Sequence, residues 1–250
     1  MLELRNVAAG YGGRRVLDGV SLTVSPGEVI AVVGVNGSGK STLLKTAAGM
    51  LPLSAGERLL EGRVLSSYTR REAAQQIAYL PQGKNTPDMT VRQMVLHGRF
   101  PYLHYPRRYT AQDHAAVRRA LEEMDIAELA DRPLPTLSGG LRQKAYMALA
   151  LAQDTTYVLL DEPTAYLDIG AQLDLMKTLR MLANGGKGVA VVLHDLPLAF
   201  THADRVAVLQ DGRAVAFDTP QSVMQSGVVN TVFGVGIERD PTTGRYQYAY

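Results

Sequence analysis

The chain has 250 residues, a length that fits one large domain, and its 26 Lys and Arg against 24 Asp and Glu give a formal net charge of +2. The basic residues occur as scattered pairs and not as a stripe, which argues against a nucleic-acid groove, and only the pair Arg107-Arg108 is a candidate docking edge. The absence of cysteine excludes disulfide bonds and thiol chemistry, and the longest apolar runs fall far short of the ~20 residues that a membrane-spanning helix needs.

A set of predicted strands begins the chain. The start, MLELRNVAAG, lacks the basic and apolar regions of a signal peptide, and its segment LELRNV alternates in the manner of a half-buried strand. The segment VSLTV alternates in the same way, and Val29 to Val33 form an uninterrupted apolar run that is typical of a fully buried strand. This run leads directly into the glycine-rich stretch GVNGSGKST at 34–42.

Helical patterns dominate over residues 84–136. Thr90 with Gln93 and Thr110 with Asp113 have the spacing of a capping box, and each pair precedes an amphipathic run. We expect these helices to form a subdomain that is inserted into the rest of the chain.

The remainder of the chain alternates between buried strands and helices. YVLL and GVAVVL are apolar runs of strand length, and the helical pattern GAQLDLMKTLRML lies between them. This order predicts a parallel sheet wrapped by helices, and RVAVLQDGRAVAF predicts a hairpin that turns at Asp211-Gly212. The predicted fold is a single α/β domain over 1–250, with a core of 1–83 and 137–250 that includes N-terminal antiparallel strands, and a helical subdomain at 84–136.

The stretch GVNGSGKST matches the pattern G-x-x-x-x-G-K-[ST], and it has the strand before it and the helix after it that such a phosphate loop needs. Glycines let backbone amides curl around phosphates, Lys40 reaches the outer phosphates as a point charge, and Ser41 offers its hydroxyl to magnesium. The residues predicted to bind the phosphates are Gly34, Asn36, Gly37, Ser38, Gly39, Lys40, Ser41 and Thr42.

Four further polar residues follow apolar runs, where the carboxyl ends of parallel strands collect ligands. Asp161 follows YVLL and is placed to hold magnesium, and Glu162 comes next, where it can deprotonate a water that attacks the outer phosphate. Gln82 in YLPQ and His194 in VVLHD are placed to bring polar side chains to the same phosphate. We therefore predict a catalytic set of Glu162, His194 and Gln82.

The stretch LSGG at 137–140 has a second set of phosphate-binding features. Ser138, Gly139 and Gly140 open a predicted helix, whose dipole favours an anion near its start. The stretch itself supplies neither a lysine nor a metal-holding aspartate. Such a site can bind only a phosphate that arrives with its own magnesium.

Taken together, these motifs resemble those of the ATP-binding cassette (ABC) ATPases. The phosphate loop, YLPQ, LSGGLRQ, VLLDEPTAYLD and VVLHD occur in the family's order, and the resemblance covers nearly all of the chain. It implies a cassette fold that binds ATP and Mg²⁺, with Tyr11 stacked on adenine, Gln82 sensing magnesium and the attacking water, and His194 contacting the outer phosphate. It also implies a head-to-tail homodimer, in which the LSGG of one subunit covers the ATP held by the phosphate loop of the other.

Three residues depart from the common family motifs. Leu141 stands where glutamine is common, Val35 where proline is common, and Ala165 where serine often begins the element that ends at Asp168. Asp168 itself is retained and is predicted to belong to the nucleotide site. None of the departures removes a charged catalytic group, but changes within 165–168 bear on how the two sites of a dimer are coupled.

The activity implied by the resemblance is ATP hydrolysis by a homodimer that drives a separate membrane permease. We expect two permease subunits, a substrate-binding protein and a peripheral position on the cytoplasmic face of the cell membrane, with no nucleic acid as partner. A soluble ABC switch acting on ribosomes or DNA is the alternative, but such relatives usually carry two cassettes or long coiled-coil insertions, and this chain has no heptad stretch. A cassette without turnover is disfavoured because the charged catalytic residues are all present.

Three stretches resemble the importers of iron-siderophore complexes, haem and vitamin B12, namely VLHGRFPYL, LALAQDTTYVLLDEPTAYLD and VFGVGIERDPTTGR. Within the first, Gly98 to Tyr102 (GRFPY) lie in the helical region that would meet the permease, and the Arg, Phe and Tyr suit a docking patch. The other interpretation of GRFPY is a buried aromatic turn. The resemblance favours an iron-siderophore complex, haem or cobalamin as cargo, with amino acids, sugars and phosphate as the other candidates.

Overall fold

The computed structural model describes residues 1–82, 86–165 and 167–249, and within these segments no helix is long and apolar enough to cross a bilayer. Its strands are β1 (Leu2–Tyr11), β2 (Arg14–Val24), β3 (Val29–Gly34), β4 (Leu53–Leu60), β5 (Arg63–Val64), β6 (Ile77–Leu80), β7 (Tyr157–Leu160), β8 (Gly188–Val192), β9 (Arg205–Gln210), β10 (Arg213–Asp218), β11 (Gly236–Arg239) and β12 (Tyr246–Ala249). Its α-helices are α1 (Lys40–Ala47), α2 (Arg70–Gln76), α3 (Val91–Leu96), α4 (Ala111–Glu123), α5 (Gly139–Ala152), α6 (Ile169–Asn184), α7 (Leu196–His202), α8 (Pro220–Gln225) and α9 (Val228–Phe233). Short 3-10 turns lie at Leu65–Ser67, His97–Tyr102, Ala127–Leu129 and Leu134–Thr136.

A six-stranded sheet in the order β10-β9-β3-β8-β7-β6 forms the centre of the molecule. Its neighbours pair in parallel except β9 and β10, which form the hairpin predicted at Asp211-Gly212, where both residues have a positive φ. Every residue of β3, β7 and β8 is buried, as expected for strands covered on both faces. A separate antiparallel sheet contains β2, β1, β4 and β5. The predicted α/β fold, with a parallel core and N-terminal antiparallel strands, is confirmed.

The carboxyl ends of β6, β7, β8 and β3 lie at one edge of the central sheet. The parallel register pairs Leu80 with Leu160 and Leu160 with Val191, so the polar residues that follow these strands emerge side by side. Each strand is followed within a few residues by one of the predicted site segments, which are the glycine loop, Gln82, Asp161 and His194.

The region predicted to be helical packs against α5 through α3 and α4. Thr90 and Thr110 each begin a helix with a complete capping box, so both predicted capping boxes are confirmed. In each box the threonine hydroxyl accepts from the backbone N–H three residues later, and the side chain of that later residue accepts from the threonine N–H. The division into a core and a subdomain at 84–136 stays a prediction, and its boundary at 83–84 lies outside the described residues.

Arg99, the second residue of GRFPY, is buried. It is 6% exposed, its Nε donates to Asp113 Oδ1 at 3.0 Å, and its Nη1 donates to the Ala152 carbonyl at 2.8 Å. Its guanidinium also stacks on the Tyr102 ring, 3.8 Å from the centroid. The prediction that Arg99 belongs to a docking patch is therefore wrong, because these contacts use the guanidinium to hold the turn against α4 and α5. Phe100, in contrast, is 48% exposed.

We predict that Arg99→Met destabilises the fold by about 3–5 kcal/mol, because it leaves the buried carboxylate of Asp113 without its cation. Burial raises the pKa of Asp113, but hydrogen bonds from Thr110 and Arg99 more than offset this effect and hold the pKa below its usual range. As a matched control, Arg92→Met removes an exposed ion pair with Asp131 and should leave the free energy of unfolding nearly unchanged. Urea unfolding followed by circular dichroism measures both variants, and equal losses would contradict the role assigned to Arg99.

Candidate active site

A cleft of about 640 Å³ opens at the edge of the sheet where the parallel strands end. Its walls come from the glycine loop, the start of α1, and the segments that follow β6, β7 and β8. Residues more than a hundred positions apart in sequence thus meet in one space. Val16 of β2 was not predicted to lie there, since nothing in an alternating strand marks one apolar residue as facing a ligand. The lining residues are Val16, Asn36, Gly37, Gly39, Lys40, Ser41, Thr42, Gln82, Glu162 and His194.

The glycine loop depends on backbone geometry that other residues avoid. Gly37 and Gly39 have φ values of 81° and 103°, in the left-handed region where a Cβ is strained. A Cβ on Gly34 would lie 2.5 Å from Ser38 Oγ and would collide with the Leu209 carbonyl. The loop therefore packs closely on β9 and turns sharply into α1, which leaves its backbone accessible from the cleft.

Lys40 is the cation at the base of the cleft. It is 6% exposed, and its Nζ donates to the carbonyls of Gly34 at 2.8 Å and Val35 at 3.1 Å. Burial lowers the pKa of Lys40, while the nearby carboxylates of Glu162 and Asp161 act in the opposite direction and favour the ammonium form. The loop thus holds a positive charge at the wall of the cleft.

Asp161 is held by hydroxyl groups at both of its carboxylate oxygens. Oδ1 accepts from Ser41 Oγ at 2.9 Å, and Oδ2 accepts from the Tyr79 hydroxyl at 3.0 Å. Burial raises the pKa of Asp161, and the hydrogen bonds from Ser41 and Tyr79 oppose that rise. Burial and the Asp161 carboxylate together raise the pKa of Tyr79, so the phenol remains a donor.

Sequence reasoning missed Tyr79, although a signal was present. The run IAYL reads as a buried strand, and a tyrosine in such a strand needs a partner for its hydroxyl. The partner itself could not be identified from the sequence, because it lies 82 residues away, directly after the neighbouring strand β7.

Glu162 lies between Gln82 and His194 at the open end of the cleft. Its Oε1 is 2.8 Å from His194 Nε2, and its Oε2 accepts a hydrogen bond from Gln82 Nε2. Glu162 also has a φ of 50°, a left-handed conformation that costs about 1–3 kcal/mol in a residue other than glycine and tends to occur at functional sites. The carboxylate is therefore oriented by two neighbours and by its own backbone.

The residues of this cleft fit Mg²⁺ together with a polyphosphate. Mg²⁺ prefers hard oxygen ligands. The Ser41 hydroxyl and the Asp161 carboxylate supply such oxygens within hydrogen-bond distance of each other, and the Gln82 side chain lines the same cleft as Ser41. Ser38 is 2% exposed and is not among the residues that line the cleft, and within the described residues its Oγ has no hydrogen-bond partner. The described ranges contain no group of three or more His, Cys, Asp or Glu arranged around a metal. A magnesium ion here would depend on phosphate and water for its other ligands.

The LSGG residues open a different part of the surface. Ser138 caps α5 by accepting a hydrogen bond from the Leu141 N–H at 3.4 Å, so the predicted helix start is confirmed. Ser138 and Gly140 line a second cleft of about 370 Å³, and Gly139 lines a narrower cavity of about 210 Å³ that also reaches Glu162. None of the three LSGG residues named here is among the described residues that line the 640 Å³ cleft.

Tyr11 and Asp168 also lie outside the lining of the 640 Å³ cleft. Tyr11 ends β1 and is 46% exposed. Asp168 caps α6, where its Oδ1 accepts from the Ala171 N–H at 2.8 Å. Within one chain, the structure therefore gathers the phosphate loop, Gln82, Glu162 and His194, but it does not gather Tyr11, Asp168 or the LSGG residues around the same space.

The sequence is similar to that of one family along most of its length. The model of the family described as "ABC transporter" matches residues 17–165. The hemin import ATP-binding protein of Rhodococcus jostii (strain RHA1) is 42% identical over 247 residues, which cover 97% of this chain and 84% of that protein. The ferric enterobactin transport ATP-binding protein of Escherichia coli (strain K12) is 38% identical over 248 residues, which cover 97% of this chain and 91% of that protein.

Solved structures with the same fold include two cassettes. An ATP-binding cassette of an ABC transporter in its ADP conformation superposes with a TM-score of 0.83 at 24% identity, over 93% of this chain and 98% of that chain. A nucleotide-free ATP-binding cassette from an ABC transporter superposes with a TM-score of 0.82 at 24% identity, over 97% and 96% of the two chains. At this level of identity the likeness concerns the fold alone.

Proposed function

This chain belongs to the ABC transporter family and is one of its ATPases, and on that premise we propose that it powers the import of an iron chelate through a separate membrane permease. The observation that carries the catalytic part of this proposal is the carboxylate of Glu162, held between Gln82 and His194 beside the phosphate loop. The transport part is supported by the names of the relatives, which are import and transport ATP-binding proteins.

The phosphate loop and the start of α1 would bind the triphosphate of ATP. Asn36, Gly37, Gly39 and Lys40 line the cleft, so backbone amides of the loop and the ammonium group of Lys40 would face the outer phosphates. Ser41 and Asp161 would hold Mg²⁺, with Gln82 as a further ligand. Bound Mg²⁺ would supply positive charge that offsets the negative charge developing during phosphoryl transfer.

Glu162 would act as the general base. A water between its carboxylate and the outer phosphate would give its proton to a Glu162 oxygen and attack the phosphorus, while the bond from that phosphorus to the bridging oxygen breaks and ADP leaves. His194 and Gln82 each hold one oxygen of that carboxylate, which keeps it aimed into the cleft. His194, with a side chain that is 48% exposed, also lies where it can contact the transferred phosphate.

We further propose that the complete site forms between two copies of the chain. Ser138, Gly139 and Gly140 open α5, and its positive end favours an anion, but they do not line the cleft that contains Lys40. The ATP held by one copy would satisfy the LSGG of the other, with Asp168 and Tyr11 completing the contacts to the nucleotide. ATP would then join the two copies, and hydrolysis would release them.

Membrane permeases are the partners with which importer ATP-binding subunits work. For this chain we propose two permease subunits, a substrate-binding protein and a position on the cytoplasmic face of the membrane. The contact with the permease would use the exposed surface near Phe100 in the proposed helical subdomain at 84–136, whereas Arg99 is committed to the interior. The exposed basic pair Arg107-Arg108 precedes Tyr109, whose ring centroid lies 6.4 Å from that of Phe100, and it extends this proposed docking surface.

The proposed cargo is an iron-siderophore complex, haem or cobalamin, with an iron-siderophore complex first. Relatives named for hemin and for ferric enterobactin support the first two chemical classes. A soluble switch is not favoured, because the relatives are transport subunits. The competing hypothesis is uptake of another small nutrient, and the cargo experiment below distinguishes the two.

We expect Glu162→Gln to bind ATP as the parent does and to lower turnover ~10²- to 10⁴-fold, because the amide cannot accept the proton. Phosphate release measures turnover, and fluorescence titration with a labelled ATP measures binding. Glu57→Gln changes an exposed carboxylate of β4 and should leave both quantities unchanged. Turnover of Glu162→Gln within threefold of the parent would refute its role as base.

With Mg-ATP, Glu162→Gln should form a dimer in light scattering, because bound ATP persists and links the two copies. Adding Ser138→Arg should return the protein to a monomer, since the bulky cation blocks the start of α5. Ser66→Arg, at an exposed serine in another turn, is the matched control and should leave the dimer intact. A dimer that survives Ser138→Arg, or that forms equally without ATP, would count against the composite site.

The cargo is tested by purifying the chain with its permease and substrate-binding protein and titrating the binding protein with a siderophore, haem and cobalamin. We expect tight binding of one of these metal chelates and stimulation of ATP hydrolysis when the loaded binding protein is added to the complex. Tight binding of an amino acid or a sugar, with none of the chelates bound, would overturn the cargo and leave the ATPase unaffected.

A further inference from the structure

Tyr79 makes a contact that the catalytic steps proposed above do not use. Its hydroxyl donates to Asp161 Oδ2 at 3.0 Å, while Oδ1 accepts from Ser41 at 2.9 Å. Tyr79 is not among the residues that line the nucleotide cleft, and Asp161 is 3% exposed. The hydrogen bond that the Tyr79 hydroxyl makes therefore connects it to the metal-holding residue Asp161 and not directly to the cleft.

We propose that Tyr79 is a positioning residue that sets the orientation of the Asp161 carboxylate toward the magnesium of bound ATP, an inference that rests on the proposed function. A single hydrogen bond from Ser41 to Oδ1 leaves the carboxylate of Asp161 free to rotate about its Cβ–Cγ bond. A second bond at Oδ2 fixes the plane of the group. Partners of this kind, one shell outside the metal, orient ligands and tune metal affinity.

The backbone holds both ends of this hydrogen bond in place. Tyr79 in β6 pairs with Leu159 in β7, and the N–H of Asp161 donates to the Leu80 carbonyl at 2.9 Å. The separation between the Tyr79 ring and the Asp161 side chain is therefore set by strand pairing and not by a mobile loop. A donor on a paired strand is preorganised, so it constrains the carboxylate before any ligand arrives.

The ring and the hydroxyl of Tyr79 have separable roles. The ring packs against the apolar cluster between the two sheets, so Tyr79→Phe retains the packing and removes only the donor. Tyr157 offers a matched control, because it begins β7, at the end of the strand away from Asp161. Its side chain is fully buried, and its hydroxyl donates to Glu61, a carboxylate that is not part of the cleft lining. Tyr157→Phe therefore removes the same kind of bond away from the site.

The experiment measures the affinity of the full chain for the non-hydrolysable nucleotide AMP-PNP by calorimetry, with excess Mg²⁺ and with EDTA. The ratio of the two affinities is the gain that magnesium provides. We expect Tyr79→Phe to reduce this gain about tenfold and to leave the affinity in EDTA within twofold of the parent. Tyr157→Phe should keep both values.

Electron paramagnetic resonance of Mn²⁺ bound together with AMP-PNP reports on the metal's ligands directly. We expect an altered line shape in Tyr79→Phe and the parent's line shape in Tyr157→Phe. An undiminished magnesium gain in Tyr79→Phe, an equal loss of affinity with and without Mg²⁺, or an unchanged spectrum would overturn the positioning role. A parent chain that gains no affinity from Mg²⁺ would instead contradict the proposed function, so the two failures are distinguishable.

Discussion

The parallel pairing of β3, β8, β7 and β6 is the constraint on which the rest of the site depends. Parallel strands run in one direction, so their carboxyl ends meet at one edge, and the residues that follow them must share that space. Asp161 meets Ser41 and Tyr79 only in the observed register. A slip of one residue between β6 and β7 would turn the side chains of β7 to the opposite face and separate these groups.

The charged groups at this edge stabilise one another inside an otherwise apolar sheet. A lone buried charge is costly, and both Lys40 and Asp161 are nearly inaccessible to solvent. Loop carbonyls satisfy Lys40, two hydroxyls satisfy Asp161, and the carboxylates of Glu162 and Asp161 favour the ammonium form of Lys40. Substitutions within this set share partners, so their effects on stability and binding should not add.

The strand β6 also connects the site to the helical region. At its start, the Gln153 side chain donates to the carbonyls of Ala74 and Ile77, and the Tyr102 hydroxyl donates to the Gln153 carbonyl. At its other end the strand leads to Gln82. Strand β6, which is paired with β7, thus joins the turn at 97–102 to Gln82, the residue that contacts Glu162. No flexible loop is needed for this connection.

By itself, the sequence determined the features that depend on spacing along the chain. Glycines at fixed intervals define the phosphate loop, apolar runs define the buried strands, and the capping boxes require residues three positions apart. Only the tertiary structure decided that Arg99 is buried against Asp113 and that Tyr79 holds Asp161, because both partners come from distant elements. Local patterns reveal which side chains need a partner, whereas the packing of strands and helices decides which partner each one meets.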